Sequence, residues 1–296
     1  MSTETHLDPA VRHDMVFLFD IADGNPNGDP DFSNRPRMDE ETGHGLVTDV
    51  ALKRKVRNIL PMAANDPDRY SIFVEAGHAL NTRLAETMSV NNIDTKKKRL
   101  TPDELRTARS WLAHRYADIR LFGAVLNTGE TKALGQIYGP VQVTNARSID
   151  PIVAQQHTIT RITQTTQADI DKGESTEFGS KWTVPYALYA AKIYYSASRG
   201  TQTGVDARDL ELLYRCLEMM FDHDRSATRG TMTARGLYVF SHDNAFGNAP
   251  AHTLTDRVRI NRTGDTSEPP RSFADYTVSL DDDNLPNGIT ATTLIA

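Results

Sequence analysis

A chain of 296 residues with 39% apolar content can build one large core or two small ones. It has no apolar run of the roughly 20 residues a spanning helix needs. Residues 1–14 lack a leader pattern, and the single cysteine, Cys216, excludes an internal disulfide and a multi-cysteine zinc site.

These features predict a soluble cytoplasmic protein. The formal net charge of −6 weighs against a nucleic-acid partner, but the charge is uneven: residues 35–147 hold 18 Lys and Arg against 13 Asp and Glu, while the remainder is strongly acidic. A groove responds to local potential, so a basic stretch can still bind a polyanion.

Along the chain, Met15–Ile21 is apolar at nearly every position, which predicts a strand covered on both faces. A loop rich in Asn, Gly and Asp follows, Asn25-Pro26-Asn27-Gly28-Asp29-Pro30-Asp31, then Asn34-Arg35-Pro36-Arg37. A helix is predicted over 48–60, with Leu52, Val56, Ile59 and Leu60 as its buried stripe. Lys53, Arg54 and Arg57 fall on another face, with Lys55 off to one side. Residues 61–69 read as a connection, 70–75 as a short strand and 78–88 as a helix. The run Lys96-Lys97-Lys98-Arg99 leads into Thr101-Pro102-Asp103-Glu104, a capping box with proline at the first helical position. Leu105, Ala108, Trp111, Leu112 and Tyr116 form that helix's apolar face.

Strands are predicted at 120–126 and 141–147, flanking a hairpin or loop, Asn127–Pro140, with three glycines. Residues 148–182 are polar and rich in Thr and Gln, as in a protruding insertion, and 184–196 return to a strand pattern. Asp206–Phe221 is the clearest helix, its stripe being Leu210, Leu213, Tyr214, Leu217, Met220 and Phe221. Cys216 flanks that stripe and reads as a buried thiol. Leu237–Phe240 is a core strand, and the tail holds weak strands near 276–280 and 289–295. Strands and helices mix without regular alternation, which indicates an α+β domain with insertions.

A strand that hands over to a glycine-rich loop, and then to a helix opening with a hydroxyl and exposed amides, suits phosphate groups. Cations in the first two turns would add charge, although they also fit a solvated helix face. Asp23-Gly24-Asn25-Pro26-Asn27-Gly28 has the spacing of half a calcium loop, but its twelfth position is Asn34 and a strand precedes it. No H-E-x-x-H, G-x-S-x-G or Walker pattern is present, and Asp222-His223-Asp224 suits a helix end better than a metal. Asp20, Asp23, Asp29 and Asp31 could hold magnesium or simply build a turn. No cofactor or metal is expected. The band Gln155, Gln156, His157, Thr158, Thr160, Arg161, Thr163 and Gln164, punctuated by Ile159 and Ile162, offers hydrogen bonds to unstacked bases, or is an ordinary exposed hairpin.

Taken in order, several blocks resemble the backbone subunit of the type I-C CRISPR Cascade complex, in the Csd/Csh branch of the RAMP superfamily. They are Asn25–Pro30, Asn34–Arg37, Gly43–Val50 running into Leu52–Lys55, Asp118–Gly123, Gly139–Val143, Ala146–Ile152 and Thr183–Tyr189. The resemblance implies one hand-shaped α+β domain over 1–296. It would have an RRM-like (ferredoxin-like) palm, a helical finger insertion near 61–117, a projecting thumb near 148–182 and a C-terminal segment, 263–296. No aromatic RNP1 block is present, so ordinary RRM base stacking is not expected.

The resemblance also implies a non-catalytic subunit that polymerises along the spacer of CRISPR RNA. Its thumb displaces one base at regular intervals and leaves the others to pair with a target DNA strand. Neighbouring copies and other Cascade subunits would be its partners, with no membrane. Lys53, Arg54 and Arg57 are the first candidates for guide-phosphate contacts, then Asn27, Gly28, Arg35 and Arg37, then Arg147. His157, Arg161 and Gln164 would contact RNA from the thumb. The alternative is a metal-dependent ribonuclease using Asp29 or Asp31, as in related type III backbone subunits. A binder that must present any spacer should hold backbone and shape, leaving base edges free.

Overall fold

The computed structural model describes residues 4–94, 100–126, 134–172, 177–264 and 266–296. The run Lys96–Arg99 and the loop segment Asn127–Ala133 lie outside them. The fold is mixed α/β around a central antiparallel sheet. Strand β1 (His13–Gly24) lies at its middle, between β10 (Glu177–Tyr195) and β11 (Thr231–His242). Beyond β11 lies β14 (Ile289–Ile295); beyond β10 lie β8 (Ala146–Pro151) and β4 (His44–Val47). Short β7 (Val141–Val143) and β9 (Gln155–Arg161) also pair with β10.

The near-continuous apolar run of β1 follows from its position, because both faces are covered. Phe17, Phe19 and Ile21 pack against α1 (Asp49–Ala64) and α7 (Ala207–His223). Val16 and Leu18 face the other way, with Tyr186, Tyr238 and Phe240. That second layer is closed by α8 (Ala251–Thr255) and the hairpin of β12 (Val258–Arg262) with β13 (Tyr276–Leu280). The predicted stripes of α1 and α7 are buried, joined by Lys55 and Ala64 in α1 and by Asp209, Leu212 and Cys216 in α7. Cys216 is buried, and desolvation pushes its thiol up to about 12, well above the range of a reactive thiolate.

A separate apolar cluster joins α2 (Leu80–Val90) to α3 (Pro102–Arg115) through Leu84, Met88, Ala108 and Leu112, with Phe73 and Tyr116. The capping box at Thr101 and Glu104 forms as the sequence predicts. Residues 120–126 depart from expectation. Ala117–Phe122 is a short helix, α4, and only Gly123–Val125 is extended, as β5 paired with β6 (Gln136–Tyr138). The reason is tertiary: α4 aims Asp118 and Arg120 inward at buried partners, which overrides the β-propensity of its Ile, Leu and Phe.

The same carboxylate explains why 70–75 forms no strand. The N–H groups of Phe73 and Val74 donate to Asp118 at 2.7 and 3.0 Å, leaving a single bridge between Ser71 and Tyr116. Helix α1 also runs past residue 60 and through Pro61, ending where Asn65 turns left-handed at φ 49°. In the polar stretch 148–182, Ser148–Pro151 belong to β8 of the central sheet. Gln155–Arg161 pair with Glu177–Thr183, the first part of β10, and α5 (Gln167–Asp171) follows β9. The returning arm and the central strand are therefore one strand, and α6 (Ala197–Thr203) follows it.

His13 lies fully buried near the start of β1, its Nε2 donating to the Asp8 carbonyl at 2.8 Å and its Nδ1 facing Ser241 Oγ at 2.9 Å. Desolvation pulls its pKa down to about 4. The unfolded chain therefore takes up a proton below about pH 6.5 that the folded state refuses until about 4, so stability falls as pH drops through that window. Denaturant titrations are expected to lose at most about 1.4 kcal/mol per pH unit from this group within that window and little above it, and His13→Gln should flatten that slope. An unchanged slope would assign the acid sensitivity to other groups.

Candidate nucleic-acid interface

An open cleft of about 1180 Å³ lies where β1 ends, bounded by Asn25–Gly28, the exposed side of α1, the base of the β9–β10 hairpin and the turn at 224–229. The loop is stapled by its own asparagines. Asn25 Nδ2 donates to the Asn34 carbonyl at 2.6 Å, and Asn27 Oδ1 accepts from the N–H and hydroxyl of Thr48 at 2.9 and 3.0 Å. Its ends are held by the two-residue strands β2 (Gly28–Asp29) and β3 (Arg35–Pro36). On the far wall Gly24 and Gly230 bring two backbones together: a Cβ at Gly24 would strike the Arg229 carbonyl, and Gly230 sits at φ 60°.

The start of α1 is not the open phosphate cradle the sequence suggests. Thr48 Oγ1 accepts the Ala51 N–H, Asn145 accepts the Asp49 N–H, and Asp49 pairs with Lys53 at 2.9 Å. Charge in the cleft comes from side chains instead. Arg54 is exposed and donates to the Val74 carbonyl at 3.2 Å. Lys181 donates to the Ala227 carbonyl at 2.5 Å. Among the described residues neither has a carboxylate partner, so both cations are available to an anion. Deeper in, Lys55 and Arg229 share the carboxylate of Asp224. Burial lowers the Lys55 pKa despite that partner.

The sequence-predicted residues separate around this cleft. Asn27, Gly28 and Arg54 line it. Arg35 borders it, its guanidinium 5.9 Å from the centre of the Trp182 ring, itself part of the wall. Arg37 is tied to Asp29 at 2.9 Å. Lys53 and Arg57 lean over Phe122 instead, 5.9 and 5.3 Å from its ring centre, and Arg57 also holds Asp118 at 3.0 Å. Arg147 lies on β8, paired with Asp39 at 2.9 Å. His157 faces Lys181 across the hairpin and has Thr183 Oγ1 2.9 Å from its Nε2. Arg161 and Gln164 lie towards the far end of the hairpin, where Arg161 donates to the Thr163 carbonyl at 2.9 Å. The amide atoms of Gln164 are shielded and have no hydrogen-bond partner among the described residues.

Sequence analysis does not single out Lys181, Trp182 or Arg229. The basic-aromatic pair Lys181-Trp182 is a signal for the first two; for Arg229, no motif marks a turn that arrives from a distant helix. Among the described residues no group of three or more His, Cys, Asp or Glu side chains could hold a metal. Asp29 is committed to Arg37 and to the Asp31 N–H, whereas Asp31 is exposed. Among the described residues no helix is long and apolar enough to cross a membrane.

A family model described as CRISPR-associated protein Cas7 matches residues 11–281. A CRISPR-associated protein Cas7 of Haloferax volcanii is 44% identical over 64 residues, which is 22% of this chain and 17% of that protein's length. Among solved structures, a chain of a CRISPR RNA-guided surveillance complex in a pre-nicking state is 14% identical, with a TM-score of 0.46 over 77% of this chain and 78% of that one. A chain of a type III-B Cmr-beta complex bound to cognate target RNA is 11% identical, with a TM-score of 0.40 over 77% of this chain and 61% of that one.

Proposed function

The chain belongs to the Cas7 family of CRISPR-associated proteins, and on that premise we propose that it is a non-catalytic backbone subunit that polymerises along the spacer of a CRISPR RNA. In this reading it presents the guide for pairing with a target DNA strand, beside copies of itself and other subunits of a type I-C Cascade complex in the cytoplasm. The carrying observation is the cleft at the end of β1, which Arg54 of α1 and Lys181 of β10 both line without carboxylate partners among the described residues. Two cations lining one open groove, together with Trp182 and polar loop atoms, suit a sugar-phosphate chain held without base readout. The central sheet then corresponds to an RRM-like palm, residues near 61–117 to the finger, the β9–β10 hairpin within about 148–182 to the thumb, and 263–296 to a C-terminal segment of one hand-shaped domain. Asn27 and Gly28 in that groove, and Lys53, Arg57, Arg35, Arg37, Arg147, His157, Arg161 and Gln164 at its edge or beyond it, are retained as proposed guide contacts.

Co-expression with a CRISPR array tests this directly. A large particle with a nucleic-acid absorbance ratio, stable at moderate salt and yielding spacer-length RNA, is expected. A monomer with a protein-like ratio, both alone and with the array and partner subunits, would overturn the reading.

A further inference from the structure

A second cleft, of about 560 Å³, opens at the other end of the same strands, around Arg12, Gln142, Tyr194, Ser198, Arg199 and Phe246. Phe246 is 92% exposed, yet the loop that carries it is tightly fixed. Asn244 Oδ1 accepts the N–H groups of Phe246 and Gly247 at 3.0 and 2.8 Å. The Asn248 N–H donates to His242 Nδ1 at 2.8 Å, which places that ring's proton on Nε2, where it is donated to buried Asp14 at 2.9 Å. Arg12 holds the same carboxylate at 2.9 Å and donates its backbone N–H to the Asn244 carbonyl at 3.2 Å. A bare phenyl ring on a pinned loop loses little conformational freedom on binding, which favours an intermolecular contact.

The chemistry around it selects the contact. Asp14 is saturated by Arg12 and His242, so it cancels no further charge. Arg199 is exposed and, among the described residues, has no carboxylate partner; it lies 5.7 Å from the centre of the Tyr138 ring, itself 59% exposed. A projecting aromatic ring beside an uncompensated guanidinium and hydroxyl groups fits an unstacked base with its phosphate. A duplex keeps its base faces stacked on one another, so a ring that takes a base face selects a single strand.

We infer that the cleft around Phe246 and Arg199 is a second binding site, for single-stranded nucleic acid, with a base stacked on Phe246 and a phosphate on Arg199. The twelve residues of β1 separate it from the cleft at Arg54 and Lys181 by about 35 Å. It is thus independent of the guide-binding reading.

The test uses the full chain carrying Arg54→Glu and Lys181→Glu, which disables the first cleft. Anisotropy of labelled oligo-dT and oligo-U of about a dozen nucleotides, within the site sizes of single-strand binders, is measured at low salt. Residual binding is expected, weakened at least about fivefold by either Phe246→Ala or Arg199→Glu, as for removal of one stacked base or one phosphate interaction. Phe246→Trp should retain it, and a 5-iodouracil probe should crosslink to Phe246. Preference between the two oligonucleotides identifies DNA or RNA as the source. Residual binding that ignores both variants, or no residual binding, overturns the site. So does a Phe246→Ala effect confined to self-association. Failure of the guide-cleft reading has a different signature: the double reversal alone would leave RNA affinity at the parental level.

Discussion

Reversing Arg54 and Lys181 together is expected to weaken guide-RNA binding by about two orders of magnitude or more and to stop assembly, while the chain remains folded. Each reversal removes a charge-assisted interaction of about 1.5–3 kcal/mol and adds repulsion in its place. Because affinity falls tenfold per about 1.4 kcal/mol, two such interactions suffice for the predicted drop before any cooperativity along the strand. The dependence of log affinity on log salt should also become shallower by about 1.4, at about 0.7 for each phosphate of a single strand that is no longer neutralised. Among the described residues both side chains are tethered only to carbonyl oxygens, so reversal breaks no ion pair there. Arg57 is a poorer choice for the same experiment, since a glutamate there would face buried Asp118. The measurement is anisotropy on guide RNA across a salt series, with circular dichroism as the folding control. Parental affinity and slope in the folded double variant would sink the proposed cleft.

The largest stability effect is expected at Arg120. This guanidinium is fully buried on α4 and forms a fork with Asp209, Nε and a terminal nitrogen donating to the two carboxylate oxygens at 2.9 and 2.8 Å. Its other nitrogen donates to the carbonyls of Arg69, Ala113 and His114 at 3.1, 2.8 and 2.9 Å. Arg69 reaches the same Asp209 at 3.0 Å, and that carboxylate also accepts the N–H of Asp206 in the capping box of α7. One residue therefore joins the end of α3, the start of α7 and the segment before Tyr70.

Arg120→Met leaves Asp209 buried with a shared partner at best and three carbonyls without a donor, a destabilisation of about 3–5 kcal/mol. Against a typical total of about 5–15 kcal/mol, that is a large fraction. Lysine cannot replace the planar fork, so Arg120→Lys should recover little. Urea midpoints for Arg120→Met, Arg120→Lys and Asp209→Asn, together with the double variant Arg120→Met/Asp209→Leu, provide the check. The double variant is expected to be more stable than either charge-removing single, because it removes both buried charges together. Singles within about 1 kcal/mol of the parent would show that the network contributes little.

Elements whose patterns repeat over several turns or alternate strongly were readable from the chain. The stripe of α7, the stripe of α1 and the capping box at Thr101 all reflect local periodicity or hydrogen bonding within four residues. The two C-terminal strands carry only a weak pattern, yet their bounds at Tyr276–Leu280 and Ile289–Ile295 match the expected ones. Two of the misreadings, at 70–75 and 120–126, fall where a buried carboxylate intervenes. Asp118 takes the amides of Phe73 and Val74 away from any strand, and α4 exists to present Asp118 and Arg120, which no propensity encodes.

By itself the sequence determined a mixed α/β chain with one doubly covered strand, a basic helix following an asparagine-stapled loop, a buried cysteine and a long polar excursion. Those properties depend on residues close together in the chain, where periodicity and turn chemistry decide the outcome. Only the tertiary structure decided which cations are free. Lys53, Arg54, Lys55 and Arg57 share one helix, yet three carry carboxylate partners, at Asp49, Asp224 and Asp118, while Arg54 has none among the described residues. It also brought Lys181 and the turn after α7 into the cleft that Arg54 lines, from more than 120 residues away. The physical reason is that a cation's availability depends on the nearest opposite charge in space, and that neighbour is set by packing of the sheet and helices.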